Sequence, residues 1–163
     1  MTSIRLTRRK RWPRTHEVVS MTNIMDGAEA LLAGELVIIP TETVYGLAAD
    51  AGNSRAVARI FEAKGRPTFN PLIAHVLNLE AAERIAVFDD RARRLAETFW
   101  PGPLTLVLPI GDREAVCDLA RAGLDTVAVR APRHIVTHWF LEAVGKPVVA
   151  PSANRSGRPS PTD

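Results

Sequence analysis

The chain has 163 residues, 46% hydrophobic and 24% charged, with a net charge of +3. This suits one globular domain with a sizeable core and excludes a fibrous or wholly disordered chain. No run approaches the roughly 18 apolar residues of a membrane span. The single cysteine, Cys117, excludes an internal disulfide framework and points to a reducing, cytoplasmic compartment.

Arg5, Arg8, Arg9, Lys10, Arg11 and Arg14 all precede the first acid, Glu17, so the rest of the chain carries −3. The basic character belongs to an arm, residues 1–16, and not to the domain expected over 17–163. Such an arm suits contact with tRNA or another polyanion. It also suits a solvated leader, with Met21 as an alternative start, or a transit peptide.

A short strand is expected over Glu17–Met21. Ile24, Ala28, Leu31 and Leu32 recur at helical spacing, and Gly34 reads as the stop. The run Leu36–Ile39 ends at Pro40 and predicts a buried central strand. Asn53 or Ser54 caps a helix with Val57, Ile60 and Phe61 on one face, ended by Gly65 and Pro67. Leu72–Val76 is the next strand. Helices over Leu79–Ile85 and Asp90–Trp100 follow, and Pro101-Gly102-Pro103 breaks the second. Strands are predicted over Leu104–Leu108, Thr126–Arg130 and Val148–Ala150. Arg113–Ala122, which holds Cys117 as an inert packed thiol, and Ile135–Val144 read as helical. The alternation argues an α/β fold: one domain with a twisted mixed sheet, parallel and antiparallel, and packed helices. The polar tail after the last strand predicts a C-terminally truncated domain.

Neither Gly-x-x-x-x-Gly-Lys-Ser/Thr nor Gly-x-Gly-x-x-Gly is present. His134 and His138 stand four apart on an expected helix, but the pattern pairs no cysteine or carboxylate with them, so no metal site is assigned. Three blocks sit where strands or helices stop: Pro40–Leu47, Lys64–Pro67 and Pro151–Asn154. Thr41 and Thr43 flank Glu42 after a strand. Either the hydroxyls satisfy a strand-to-loop turn, or Thr41 binds a polar substrate. Lys64 and Arg66 either complement a helix dipole or, fixed by Gly65 and Pro67, face a triphosphate. His75 inside an apolar strand reads as a core histidine or a functional one. Arg130 ends a strand, well placed to clamp a carboxylate. Ser152 and Asn154 follow the last strand. Thr126 and Ser160 say nothing individually.

Together these blocks resemble the YrdC-like family of threonylcarbamoyl-adenylate synthases. Trp100-Pro101-Gly102-Pro103-Leu104-Thr105, Gly123–Arg130 and Arg158–Thr162 extend the match in the same order across about residues 24–163. The resemblance implies a YrdC-like (DHBP synthase-like) fold. It implies an enzyme that joins L-threonine, bicarbonate or CO2, and ATP into threonylcarbamoyl-AMP and pyrophosphate. A tRNA-modifying transferase complex then takes the product. Carried over by position, Thr41, His75, Arg130 and Ala150 lie on the threonine side. Lys64, Arg66, Thr126, Ser152, Asn154 and Ser160 lie on the nucleotide side, with Lys64 and Arg66 as the catalytic cations and Mg2+ carried by ATP. The resemblance also implies a later Ser-Thr turn and an Arg-Pro-Gly-type strand, absent from this sequence, that complete both pockets. A non-catalytic double-stranded RNA or tRNA-binding module is the alternative. A carbamoyl-adenylate domain of the hydrogenase-maturation type is disfavoured by the short chain and lone cysteine.

Overall fold

Apolar periodicity and caps set the elements. The structure, a computed structural model, describes residues 21–160. The basic arm lies outside them, as does the strand expected over 17–21 except for Met21, which opens a helix instead. That helix, α1 (Met21–Leu32), ends at Gly34, whose φ of +88° is a left-handed turn that glycine adopts without steric cost. Helix α2 (Ser54–Lys64) is capped as its sequence predicts. The Asn53 side chain accepts from the main-chain N–H groups of Arg55 and Ala56, and Gly65 closes the helix in the left-handed region. Helices α3 (Leu79–Glu83), α4 (Asp90–Phe99) and α5 (Ile135–Val144) fall where expected.

Six strands form one sheet in the order β1-β2-β6-β3-β5-β4. They are β1 (Val37–Ile39), β2 (Gly46–Asp50), β3 (Ile73–His75), β4 (Leu106–Pro109), β5 (Thr126–Arg130) and β6 (Val148–Val149). Only β3 and β5 pair in parallel, with His75 opposite Arg130; every other pairing is antiparallel. The mixed sheet is therefore as the sequence predicts.

Two expectations are corrected, and one strand was not foreseen. The run before Pro40 is not a central strand: β1 is an edge, and Ile38 on it is 44% exposed. A continuous apolar run marks burial on both faces only where neighbours flank both sides. Next to it lies β2, Gly-Leu-Ala-Ala-Asp, which has no β-branched or aromatic residue to announce it; small buried alanines let helices pack close on both sides. Finally, Arg113–Ala122 is not a helix but a series of turns. The buried Arg121 guanidinium holds them, donating to the carbonyls of Val116 and Leu124 and to Asp118. Cys117 is buried in the core.

Residues alternate between the two faces. One face packs Ala74, Val127, Val129 and Val149 against Val57, Ile60 and Phe61 of α2. The other face is covered unevenly. Over β1, β2 and β6, helices α1 and α5 pack Ile24, Leu31, Phe140 and Leu141 onto Ile39, Ala48, Val148 and Ala150. On the same face of β3 and β5, Ile73, Thr126 and Ala128 stay half-buried, and Val107 of β4 is 66% exposed. This uncovered half is the floor of the site.

Candidate functional site

The side chains that share this floor follow from strand register. His75 and Arg130 are paired residues and point to the same face; Thr126 and Ala128 precede Arg130 by four and two residues. Ala150 continues β6 on that face, its N–H 3.4 Å from the carbonyl of Ile73. The site thus lies on this sheet face, where His75 and Arg130 end the parallel strands β3 and β5.

The loop between β1 and β2 roofs it. Thr41 builds this loop: its hydroxyl donates to the Val44 carbonyl at 2.7 Å and accepts from the N–H groups of Thr43 and Val44 at 3.2 Å. The Thr41 hydroxyl thus makes the backbone turn that the sequence allows. Thr137 of α5 anchors the loop's start by donating to the Pro40 carbonyl. The loop delivers Glu42 and Thr43 to Arg130. The Glu42 carboxylate lies 2.7 Å from the guanidinium, with both side chains largely buried. Thr43 Oγ1 lies 3.4 and 3.5 Å from its two terminal nitrogens. Behind Arg130, its Nε donates to the Gly102 carbonyl at 3.2 Å. Gly102 cannot be replaced cheaply, because an added Cβ would stand 2.3 Å from the Phe99 carbonyl. Burial alone would raise the Glu42 carboxyl, but the Arg130 guanidinium and the main-chain N–H groups of Glu42 and Arg133 hold it below its ordinary value.

His75 is buried, and its Nδ1 is 3.1 Å from the Ile73 carbonyl. A carbonyl only accepts, so Nδ1 carries the proton. Burial, reinforced by the Arg130 charge, pushes its pKa down to about 4. The unfolded chain therefore binds a proton at His75 that the folded chain refuses between pH 6.5 and about 4. No penalty exists above this window, and stability falls as pH drops through it. Between pH 7.5 and 5 the loss is about 2 kcal/mol. Urea denaturation at several pH values checks this, and His75→Asn should flatten the slope.

A second cluster forms at the rim where β2 begins and β6 ends. Lys64 at the end of α2 is buried and donates to the carbonyls of Ser152 and Asn154. Burial, and then the Arg66 charge, lower its pKa. Ser156 N–H donates to the Lys64 carbonyl at 2.9 Å. Asn154 donates to the carbonyls of Arg155 (2.8 Å) and Arg158 (2.5 Å), and Ser160 donates to Asn154 Oδ1 at 3.2 Å. Arg66 turns elsewhere, to the carbonyls of Asn70 (3.4 Å) and Pro71 (3.2 Å).

The clusters meet through the main chain. Leu47 N–H donates to the Pro151 carbonyl at 2.7 Å, Ala153 N–H to the Tyr45 carbonyl at 2.8 Å, and Gly46 pairs with Ser152. A Cβ on Gly46 would lie 3.0 Å from Ala150 Cβ, so the close approach needs glycine. The structure thus brings Thr41, His75, Arg130 and Ala150 to one hollow, with Thr126 on its floor, and gathers Lys64, Ser152, Asn154 and Ser160 beside it. Sequence reasoning assigned nothing to Glu42 or Thr43; the one signal was a carboxylate between two hydroxyls at a strand exit. A cavity of about 400 Å3 lined by Asn78, Arg84, Leu141 and Lys146 lies elsewhere. No buried side-chain polar atom lacks a partner there, among the described residues.

Fold and site define an α/β domain whose hollow offers an arginine for an acid group beside a lysine-held loop rich in hydroxyls and amides. The sequence model of the Sua5/YciO/YrdC family, described as telomere recombination, matches residues 29–163, and the chain belongs to that family. It is 55% identical over 130 residues to the threonylcarbamoyl-AMP synthase of Pyrococcus abyssi, covering 79% of this chain and 38% of that protein. It is 46% identical over 140 residues to the Bacillus subtilis threonylcarbamoyl-AMP synthase, covering 85% and 40%. The crystal structure of P. abyssi Sua5 complexed with L-threonine superposes with a TM-score of 0.85 at 50% identity, over 90% of this chain and 43% of that one. The chain therefore spans about two-fifths of the length of these relatives.

Proposed function

We propose that this chain carries the catalytic domain of an L-threonylcarbamoyladenylate synthase, a nucleotidyltransferase that forms threonylcarbamoyl-AMP and pyrophosphate from L-threonine, bicarbonate or CO2, and ATP. The observation that carries the reading is the meeting of a buried arginine hollow with a lysine-bound Ser-x-Asn loop, in a chain 55% identical to an enzyme of that name. Arg130 would take the threonine carboxylate, with neutral His75, Thr41 and Ala150 shaping the rest of that subsite. Lys64, Ser152, Asn154, Ser160 and Thr126 would face the nucleotide. Arg66 would join them by leaving the carbonyls it now binds.

Carbamate attack on an α-phosphate needs alignment and neutralised charge more than covalent help. The side chains at the rim offer a cation, hydroxyls and an amide. They suit phosphate oxygens, and Mg2+ would come with the triphosphate. The product would pass to a tRNA-modifying transferase, in the cytoplasm. No helix of the described residues is long and apolar enough to cross a membrane. The RNA-binding alternative rests on arm 1–16, outside the described residues, and nothing within them favours it.

The test is incubation with ATP, L-threonine and labelled bicarbonate. The expected result is a labelled adenylate and pyrophosphate that appear only when all three are present. A folded protein that binds ATP and threonine yet makes no adenylate would overturn the catalytic reading.

A further inference from the structure

The segment that joins α4 to β4 belongs to neither loop of the hollow, yet it reaches Arg130. Trp100 on it is half-buried and packs its ring edge-to-face on Phe88, with centroids 6.2 Å apart. An indole nitrogen only donates. This one donates to the Leu104 carbonyl at 2.7 Å. That bond closes residues 100–104 into a turn with buried Gly102 at its apex. Pro101 and Pro103 carry no N–H. Gly102 therefore holds the one main-chain donor of residues 101–103, and directs it to the Ala131 carbonyl at 2.8 Å. Its own carbonyl accepts from Arg130 Nε at 3.2 Å. Arg133 Nε donates to the Pro101 carbonyl at 3.1 Å. The turn is thus clipped to the exit of β5 at Arg130, Ala131 and Arg133.

A guanidinium can receive a carboxylate in two ways. One lies across its two terminal nitrogens, the other along the edge formed by Nε and one of them. Gly102 removes the second by occupying Nε. Thr43 Oγ1 stands 3.4 and 3.5 Å from the two terminal nitrogens, so it marks the end that stays open. Pairing with β3 fixes the arginine's main chain, and Gly102 fixes the far end of its aliphatic stem. Held at both places, the fork has already given up the rotamer freedom that a loose arginine loses on binding.

We propose that Trp100 is a positioning residue for Arg130. Its indole N–H holds the 100–104 turn closed, and the turn holds the Gly102 carbonyl on Arg130 Nε. A carboxylate substrate can then enter only across the terminal nitrogens. The proposal rests on the reading of Arg130 as the carboxylate partner, and adds the residue that sets the direction of approach. A phenylalanine would serve the packing on Phe88 equally; only the ring N–H serves the turn.

Trp100→Phe therefore keeps a ring against Phe88 and removes the donor. The readouts are the Arg130 Nε–H resonance in heteronuclear NMR, assigned by its loss in Arg130→Lys, and calorimetric titration with L-threonine and with ATP. In the wild type this N–H should exchange with solvent more slowly than those of the exposed Arg91 and Arg94. Trp100→Phe should shift the resonance and speed its exchange. It should weaken threonine by about three- to tenfold, the contribution of one hydrogen bond, and leave ATP affinity unchanged. Phe88→Leu loosens the packing but keeps the donor. It should lower the urea midpoint and leave both the resonance and threonine affinity where they are. An Arg130 N–H that exchanges as fast in the wild type as those of Arg91 and Arg94 would overturn the proposal, and this measurement needs no variant to fold. A resonance that Trp100→Phe leaves unchanged would overturn it too. So would equal losses of threonine and ATP affinity in Trp100→Phe and Phe88→Leu, which assign Trp100 to stability alone. A wild type with a protected Arg130 N–H that binds no threonine would instead overturn the carboxylate reading of Arg130.

Discussion

Arg130→Ala is expected to abolish threonine binding and to destabilise the fold at the same time. The substitution leaves the Glu42 carboxylate in a largely buried place without its counter-charge. Removing one member of a buried pair costs about 3 kcal/mol or more, because the remaining charge keeps its desolvation penalty. It also frees the Gly102 carbonyl that Arg130 Nε now satisfies. Adding Glu42→Gln should return much of the stability and none of the binding. Arg130→Lys should keep the charge but lose the fork that reaches Gly102, Thr43 and Glu42 together, so binding falls while the fold survives. Urea denaturation read beside threonine calorimetry separates the two effects. An Arg130→Ala protein with wild-type stability would show that the ion pair is solvated and holds nothing.

Lys64→Met should detach the loop that follows β6. The methionine stem fills the same space but offers no donors, so the carbonyls of Ser152 and Asn154 lose theirs. Hydrogen bonds to a charged group contribute about 1.5–3 kcal/mol each, and a partly buried carbonyl left without a donor adds to the cost. Amide exchange should rise across residues 152–158, while β3 and β5 keep their protection. ATP binding should fall by about tenfold or more, since the loss of a buried charged hydrogen bond alone reaches that size. Threonine binding should change little. A variant with intact loop protection and lost ATP binding would assign Lys64 to the nucleotide alone.

How far the sequence disclosed this depends on what kind of signal each residue leaves. Helix α2 was legible because its caps are local: Asn53 and Gly65 declare its ends whatever surrounds them. The clustering of Lys64 with Ser152 was legible only through a resemblance, since nothing in the spacing of residues 88 apart says that they touch. Strand β2 was not legible, because its alanines are chosen for close packing between layers and carry no β signal of their own. The segment 113–122 misled for the converse reason. Its composition suits a helix, yet one buried arginine side chain supplies the carbonyl partners that helical hydrogen bonds would have supplied. Glu42 was the hardest to read. A carboxylate in a loop is ordinarily solvated, and only the register that sets Arg130 on the site-facing side of β5 reveals that this one is not.

The clasp on Lys64 also bears on synthesis. Its two acceptors lie 88 and 90 residues further along the chain. While a ribosome is still making the later strands, the ammonium at the end of α2 lacks both of these acceptors. The half of the hollow that would receive phosphate can therefore close only after Asn154 has left the exit tunnel, whereas the turn that presents Glu42 is local and can form long before.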